Sequence, residues 1–409
     1  MRYVKLLIIL ICIATSAGCV EEKTEMAKKT FGQDLSFLKK HTEVVIIEDE
    51  SGNSQVAVLP TLQGRVMTST AEGLDGLSFG WINRELIASG KVAEHINVYG
   101  GEDRFWIGPE GGQFSIFFKN NVPFDLEHWF TPASIDTEPF ELESKSKNSV
   151  LLQKDIQLEN YSGTIFNLLV DREIRVLERS EALEALEIMP AKTVKMVAFE
   201  SNNKMTNTGT NAWEKETGLL SIWILGMFNP SPTTTIVVPF NAGSKEELGP
   251  TVNDAYFGKV PANRLVVKEG VMFFSGDGQY RSKIGLSPQR AKPILGSYDI
   301  VNKVLTIVQY NKPEVAADYV NSMWELQDEP YKGDVVNSYN DGPSEPGAKP
   351  LGPFYELETS SPAAALRPGQ TISHIHRTYH LQGSEAELNS IAKATLGVTI
   401  AEIKSAIPK

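Results

Sequence analysis

The stretch at residues 355–362 reads Tyr-Glu-Leu-Glu-Thr-Ser-Ser-Pro, and Leu-Arg-Pro-Gly follows at 366–369. Its alternation predicts a β-strand in which Glu356 and Glu358 emerge on one face, while a tyrosine and a leucine fill the other. Two carboxylates on one face repel each other, which tends to raise one pKa and gives a group able to exchange protons near neutrality. The pattern therefore indicates acid–base chemistry, although paired glutamates on an exposed sheet face are often simply solvated.

The next predicted strand, Thr371 to Leu381, carries three of the six histidines of the chain. His374, His376 and His380 lie at even spacings, so they share one face. If this strand and the glutamate strand line one cleft, imidazoles and carboxylates face each other there, which is the material of general acid–base catalysis. Two imidazoles on one face also suit zinc, with His380 as the candidate third ligand, but the spacing does not identify that ligand and no metal is predicted. Ordinary packing of the histidines is the remaining interpretation.

Short strand-like runs separated by Gly, Pro, Asn and Asp recur along most of the chain. Residues 44–47 and 55–59 flank a Ser-Gly-Asn turn and predict a hairpin. Further strands are predicted to start at residue 64 and to lie at residues 112–118, 149–158, 163–177, 193–201, 218–227, 235–240, 265–275, 294–299 and 303–310. So many short strands predict an all-β fold, a large antiparallel β-sandwich.

A few helices are expected at the periphery of this sandwich. Residues 31–40 have helical spacing, and Ser384 with Glu387 forms a capping box that predicts a helix from 384 through 395. A short helical stretch follows Thr399, and we expect these C-terminal helices to cover a sheet edge. Residues 337–353 are rich in Gly, Pro, Asn and Ser and predict a long loop.

The composition limits the partners and the chemistry of the chain. The 409 residues carry a formal charge of −12 at pH 7, which argues against non-specific binding of nucleic acid or anionic headgroups. Both cysteines lie in the first 19 residues, so no disulfide is expected in the rest of the chain. After a polar, flexible tether at 19–30, residues 31–409 are predicted to form a single domain.

The N-terminal segment predicts export from the cytoplasm. In residues 1–18, two basic residues precede a short apolar run and a Ser-Ala-Gly end, which is typical of a secretory signal peptide and too short to span a bilayer. With Cys19 at the break, the segment resembles a bacterial lipoprotein signal. That resemblance implies acylation of Cys19 and anchoring in the cell envelope, at the outer membrane of a Gram-negative bacterium. A soluble secreted protein with an incidental Cys19 is the alternative.

Residues 99–112 read Tyr-Gly-Gly-Glu-Asp-Arg-Phe-Trp-Ile-Gly-Pro-Glu-Gly-Gly. The glycines allow tight turns or a close approach of the backbone to a ligand. Between them, Glu102, Arg104 and Glu110 have the chemistry to hydrogen-bond a polyol, and the flat ring of Trp106 can stack on a sugar. The alternative is an arginine–glutamate pair that fixes a turn.

These segments also carry a family resemblance, together with residues 58–69, which read Val-Leu-Pro-Thr-Leu-Gln-Gly-Arg-Val-Met-Thr-Ser. Their order resembles the galactose-mutarotase-like group, the aldose 1-epimerases and their relatives, over residues 42–383. The resemblance implies a "supersandwich" fold, a sugar substrate and no cofactor. It also implies that Glu358 is the catalytic base and that Arg104 contacts sugar hydroxyls.

The chain departs from that family in one respect. Aldose epimerases have a mid-chain His-Pro-x-x-Asn signature whose histidine protonates the ring oxygen, whereas this chain has no histidine between His128 and His374. The acid would then come from His128, from His95 or from the C-terminal cluster.

We therefore predict Glu358, His128 and His374 as catalytic residues of a sugar mutarotation or related epimerisation. The predicted substrate-binding residues are Glu102, Arg104, Trp106, Glu110, Glu356 and His376. Two other functions remain open from the sequence: a non-catalytic carbohydrate-binding lipoprotein on the same fold, and a glycoside hydrolase or lyase that uses a carboxylate pair.

Overall fold

The computed structural model describes residues 29–189, 193–345 and 347–408. The predicted signal peptide at 1–18, Cys19 and nearly all of the predicted tether at 19–30 lie outside the described residues. No helix within the described ranges is long and apolar enough to cross a membrane.

Eighteen β-strands in the described ranges make up most of the fold. In chain order they are β1 (Val45–Glu48), β2 (Gln55–Leu59), β3 (Arg65–Thr70), β4 (Arg104–Gly108), β5 (Glu141–Lys145), β6 (Ser149–Glu159), β7 (Ile165–Val176), β8 (Lys195–Asn207), β9 (Ser221–Phe228), β10 (Thr235–Pro239), β11 (Leu265–Lys268), β12 (Val271–Ser275), β13 (Ser282–Leu286), β14 (Ile294–Asp299), β15 (Val304–Tyr310), β16 (Val336–Asn340), β17 (Tyr355–Ser360) and β18 (Thr371–Gln382).

The strands form three antiparallel sheets. A ten-stranded sheet has the order β11-β12-β10-β14-β15-β18-β8-β7-β6-β5, a five-stranded sheet has the order β13-β16-β17-β9-β4, and β1-β2-β3 form a small third sheet. The predicted hairpin is the β1–β2 pair, which is confirmed. The predicted all-β antiparallel sandwich is also confirmed. Because β4, β9, β13 and β17 are distant in sequence but neighbours or near-neighbours in the five-stranded sheet, residues from four parts of the chain meet there.

The five-stranded sheet packs one of its faces against the ten-stranded sheet. Phe105 of β4 and Ile224 of β9 are fully buried in one apolar cluster with Val170 and Phe199 of the larger sheet. Burial of a side chain of this size stabilises the fold by about 1.5–3 kcal/mol. Side chains alternate along a strand, so the residues next to these in sequence project from the opposite face of the five-stranded sheet.

Six α-helices of the described ranges lie outside the sheets. They are α1 (Phe31–His41), α2 (Arg84–Ser89), α3 (Arg179–Ala185), α4 (Lys245–Leu248), α5 (Glu385–Leu396) and α6 (Ile400–Ala406). Short 3-10 helices span Pro60–Leu62, Gly73–Asp75 and Ala133–Ile135. The predicted helix at 31–40 is confirmed as α1, and a capping box formed by Thr30 and Gln33 starts it.

The predicted C-terminal helices are confirmed, but their predicted position is wrong. Capping boxes at Ser384 and Thr399 start α5 and α6. Their apolar residues share a cluster with Val237, Tyr298 and Leu305, which lie on β10, β14 and β15. These strands are inside the ten-stranded sheet, so the helices cover a face of the sheet and not its edge. The cause is the wide apolar side of α5, which needs a broad surface to bury it.

Two further predictions are corrected. Residues 112–118 form turns and not a strand, and Gly112 has a φ of 81° there, which favours glycine. The predicted loop at 337–353 starts later than expected, because β16 extends through Asn340 and pairs with strands on both sides. Pairing in a sheet has overridden the loop-like composition of β16.

Candidate functional site

The face of the five-stranded sheet that points away from the ten-stranded sheet carries a group of polar and aromatic residues. Glu358 of β17 pairs with Leu225 of β9 on one side and with Asn337 of β16 on the other, and Leu225 pairs in turn with Arg104 of β4. Directly paired residues of an antiparallel sheet project from the same face. We call this surface the outer face. Its site residues are Arg104, Trp106, Trp223, Lys283, Asn337, Glu356 and Glu358.

Glu358 is fully buried at the centre of the outer face. Its Oε2 accepts hydrogen bonds from Lys283 Nζ and from Trp223 Nε1, both at 3.0 Å. The side chain of Lys283 is 10% exposed, so this ion pair is largely shielded from water. The other oxygen, Oε1, is buried. Among the described residues, no N–H group or hydroxyl donates a hydrogen bond to it. Glu358 is therefore held in place through Oε2, and its carboxyl group also interacts with the neighbouring Glu356 side chain.

Burial and neighbouring charges shift the pKa values of Glu356 and Lys283 on the outer face. Burial raises the pKa of Glu356 well above its usual range, and repulsion by Glu358 raises it further, against the pull of Lys283 and Arg104. Burial alone would lower the pKa of Lys283, but the neighbouring acidic groups, Glu358 first, outweigh burial and raise it. At neutral pH the outer face thus holds an ammonium–carboxylate pair beside a carboxyl group that keeps its proton.

A recess of about 20 Å³ opens beside Lys283, enough for one water molecule. Its polar and aromatic lining consists of Glu110, Ser221, Trp223, Tyr256, Lys283, Ser322, Asp334, Asn337 and Ser360. Ser221 Oγ is buried there and has no hydrogen-bond partner in the described ranges. Burial, reinforced by Glu358 and opposed by Lys283, raises the pKa of Glu110 to about 7. The half-buried Glu110 carboxyl can therefore both give and take a proton near neutrality.

Tyr256 covers the ammonium side of the recess. Its hydroxyl donates to Asp334 Oδ2 at 2.7 Å and accepts from Asn337 Nδ2 at 3.1 Å. Lys283 Nζ lies 5.5 Å from the centre of the Tyr256 ring and 4.8 Å from the centre of the Trp223 ring. Two aromatic rings and one carboxylate therefore surround the ammonium.

Arg104 and Trp106 lie on the outer face, as the strand pattern of β4 requires. Arg104 donates to Asp136 Oδ1 at 2.9 Å, and its guanidinium carbon lies 4.2 Å from the centre of the Trp106 ring. Trp106 also contacts Trp223 edge to face at 5.3 Å. Both side chains are almost fully buried, so the Trp106 ring packs against Arg104 and Trp223. The prediction that the Trp106 ring is free to stack on a sugar is therefore wrong.

The predicted meeting of carboxylates and imidazoles in one cleft is also wrong. The hydroxyl of Thr359 lies 2.7 Å from His374 Nε2 and 2.9 Å from His376 Nδ1. Because Thr359 follows Glu358 in β17, it projects from the inner face, toward β18 of the ten-stranded sheet. Burial lowers the pKa of His374 to about 3 and that of His376 to about 4. Both are neutral, buried imidazoles between the sheets.

Glu102, predicted to contact the substrate, is also fully buried between the sheets. It accepts hydrogen bonds from the Ser69 backbone N–H at 2.5 Å and the Ser69 hydroxyl at 2.8 Å. His380 Nε2 lies 2.8 Å from Glu102 Oε2, the oxygen that accepts from the Ser69 hydroxyl, and the imidazole stacks on Phe79 at 4.2 Å. The reason is the bend at Gly100 and Gly101, both at positive φ, which turns Glu102 away from the face that Arg104 occupies.

His128, predicted as a catalytic residue, lies in a loop outside the recess lining. Its Nδ1 is 2.6 Å from Asp125 Oδ1, and both side chains are substantially exposed. The hydrogen bond to His128 lowers the pKa of Asp125. Of the predicted site residues, the structure thus brings together Arg104, Trp106, Glu110, Glu356 and Glu358. It places Glu102, His374, His376 and His128 elsewhere.

Sequence reasoning missed Lys283, Asp136, Tyr256 and Asn337. The signal for Lys283 was present, because Ser-Lys-Ile-Gly-Leu at 282–286 alternates like a short strand and sets one lysine opposite its apolar residues. The loop-like composition around Asn337 concealed its strand. Nothing local to Tyr256 or Asp136 indicates a role, since each reaches the site from an irregular segment.

Comparison with family models identifies the family of this chain. A family model described as a family of unknown function, DUF6786, matches residues 29–407. The chain belongs to DUF6786. No curated protein matches this DUF6786 chain in sequence.

Solved structures show the fold of this DUF6786 member. A putative aldose 1-epimerase from Escherichia coli K12 matches with a TM-score of 0.50 and 12% identity, over 84% of this chain and 99% of that one. A galactose mutarotase-like protein from Lactobacillus casei ATCC 334 matches with a TM-score of 0.47 and 9% identity, over 83% of this chain and 100% of that one. The resemblance to the galactose-mutarotase-like group is confirmed at the level of the fold.

Proposed function

We propose that the outer face binds a carbohydrate and exchanges protons with it, most simply in mutarotation or a related epimerisation. One observation carries this proposal: Glu110 and Lys283 line one recess, and the Lys283 ammonium is paired with the buried Glu358. Glu358 is paired with the Lys283 ammonium, whereas Glu110 has a pKa raised to about 7. A carboxylate held by an ammonium and a carboxyl group whose pKa lies near neutrality are suited to act as base and acid.

In this mechanism, Oε1 of Glu358 takes the proton of the anomeric hydroxyl, and Glu110 gives a proton to the ring oxygen. The bond between the anomeric carbon and the ring oxygen breaks, and the sugar becomes an open-chain aldehyde. Rotation about the C1–C2 bond and the reverse proton transfers close the ring as the other anomer. Glu110 takes the role that we predicted for His128 or His374, because it lines the recess and they do not.

The direct test is anomer exchange on freshly dissolved aldoses, followed by polarimetry or NMR. We expect the wild-type chain to accelerate exchange over buffer and Glu358→Gln to lose about a hundredfold or more of that acceleration. Glu141→Gln, at an exposed position of β5, is the matched control and should behave like the wild type. Absence of acceleration with every common aldose would reject the catalytic proposal.

Non-catalytic carbohydrate binding is the second candidate, and the size of the recess favours it. A volume of about 20 Å³ admits one water-sized group, so a sugar ring would sit at the mouth and insert a single hydroxyl. Calorimetric binding of a saccharide without anomer exchange would select this function.

We further propose that the chain is a lipoprotein anchored through Cys19. The basic start, the apolar run and the small residues before the cysteine support this proposal. Each buried methylene of an acyl chain contributes about 0.8 kcal/mol, so two or more chains give stable anchoring. Cys19→Ser should move the protein from the membrane fraction to the soluble fraction, and its retention in the membrane fraction would reject the proposal.

A further inference from the structure

Arg281 is a cation at the edge of the candidate site whose charge acts on Asp341 and Glu110 without a direct ion pair to either. Arg104 is paired with Asp136 and Lys283 with Glu358. Arg281 makes no ion pair and no hydrogen bond with the described residues, although its side chain is only partly exposed. Asp341, the nearest carboxylate in register, already accepts hydrogen bonds from the Tyr339 hydroxyl and the Gly352 backbone N–H.

An aromatic ring holds Arg281 in position. Its guanidinium carbon lies 4.0 Å from the centre of the Phe257 ring, and Phe257 contacts Tyr339 edge to face at 5.8 Å. Phe257 is 44% exposed and directly follows Tyr256, the residue that covers Lys283. A guanidinium stacked on a ring is pre-organised, so it loses little freedom when it binds a ligand.

Arg281 is also within reach of a ligand seated at the recess. It lies just before β13, two residues from Lys283, and its ring partner Phe257 contacts Tyr339, the residue that pairs with Lys283. Its charge acts on Glu110, whose pKa it lowers against the effect of burial. One sugar ring over the recess can therefore place a substituent against Arg281.

We propose that Arg281 and Phe257 form a subsite for the carboxylate of an acidic saccharide, a uronic acid residue. This inference rests on the proposed carbohydrate binding and adds the class of sugar. The planar fork of a guanidinium matches a carboxylate through two parallel hydrogen bonds. A singly charged group fits better than a doubly charged phosphate, because one guanidinium balances one negative charge and Glu110 and Asp341 lie nearby.

The test compares sugars that differ only at C6, as methyl glycosides that cannot anomerise. Methyl glucuronide and methyl glucoside, and the corresponding galacto pair, are titrated by calorimetry at pH 7.5 against the full chain. We expect the acidic member of at least one pair to bind at least about tenfold more tightly than the neutral member. Arg281→Gln should remove that preference and leave the affinity for the neutral glycoside unchanged. Arg367→Gln, an exposed arginine in the turn before β18, changes the net charge equally and should keep the preference.

Each other outcome overturns the proposal in a recognisable way. Equal binding of acidic and neutral glycosides rejects the subsite and leaves carbohydrate binding standing. Equal losses for both glycosides in Arg281→Gln reject recognition of the carboxylate by Arg281. Tighter binding of the 6-sulfate ester than of the uronide rejects the carboxylate as its ligand. Absence of binding by all of these glycosides counts against the proposed function itself, and the subsite falls with it.

Discussion

Replacing Lys283 by Met tests the buried ion pair on which the candidate site depends. Glu358 is fully buried, and the Lys283 side chain is 10% exposed, with its ammonium 3.0 Å from Glu358 Oε2. Removing one partner of a buried pair leaves an uncompensated charge and costs about 3–5 kcal/mol. We expect a loss of this size at pH 8, measured from the midpoint and slope of urea denaturation.

The loss should depend on pH in a definite direction. Without the ammonium of Lys283, the buried Glu358 can avoid an uncompensated charge only by taking up a proton. Because protons are more abundant at low pH, the destabilisation should be smaller at pH 4 than at pH 8.

A second substitution and a control complete the measurement. Adding Glu358→Gln to Lys283→Met should restore most of the stability, because an amide needs no counter-charge and can still accept from Trp223. Lys215→Met is the control, since the Lys215–Asp318 pair is half exposed and should cost less than about 1 kcal/mol. A loss below about 1 kcal/mol for Lys283→Met at pH 8, or an equal loss at pH 8 and pH 4, would refute the reasoning.

Three further predictions concern the proton-carrying groups. The pKa of Glu110 is raised to about 7, so its acid form is lost as the pH rises through 7. The wild-type exchange rate should therefore fall above that pH. Glu110→Gln should lower the rate about a hundredfold and remove this fall from the pH profile. Thr359→Val removes the hydroxyl shared by His374 and His376 and should cost about 1–3 kcal/mol in urea denaturation, with saccharide affinity unchanged. A fall in affinity at full stability would contradict the inner-face position of the histidines. Their folded-state pKa values of about 3 and 4 lie below the unfolded value of about 6.5, so each should withdraw roughly 2 kcal/mol of stability between pH 6.5 and pH 5. His376→Gln should flatten that slope in a pH series of denaturation curves, and an unchanged slope would reject the assignment.

The features that sequence reasoning predicted correctly are local ones. The capping box at Ser384 and the shared face of Glu356 and Glu358 follow from residues at most three positions apart. Side chains alternate along a strand with a period of two, whichever strands it pairs with. The two glutamates therefore project from the same face regardless of the rest of the fold.

The incorrect predictions concern relations between distant strands. The histidines of β18 share a face with one another, as expected, but nothing in their spacing indicates that β18 belongs to the ten-stranded sheet. The loop-like composition of residues 337–340 concealed a strand whose backbone pairs on both sides. Residue composition gives only a local preference for strand or loop, and pairing in a sheet can override it. The spacing of residues within one strand does not show which distant strand it pairs with.

Glu358 and Thr359 are consecutive residues of β17 and project from opposite faces of the five-stranded sheet. Inserting or deleting one residue upstream in this strand would exchange the two, carrying a negative charge to the imidazoles and a hydroxyl to the lysine. The contacts on both faces of the sheet would be lost together. Members of this family should therefore differ in β17 by substitutions and conserve its length.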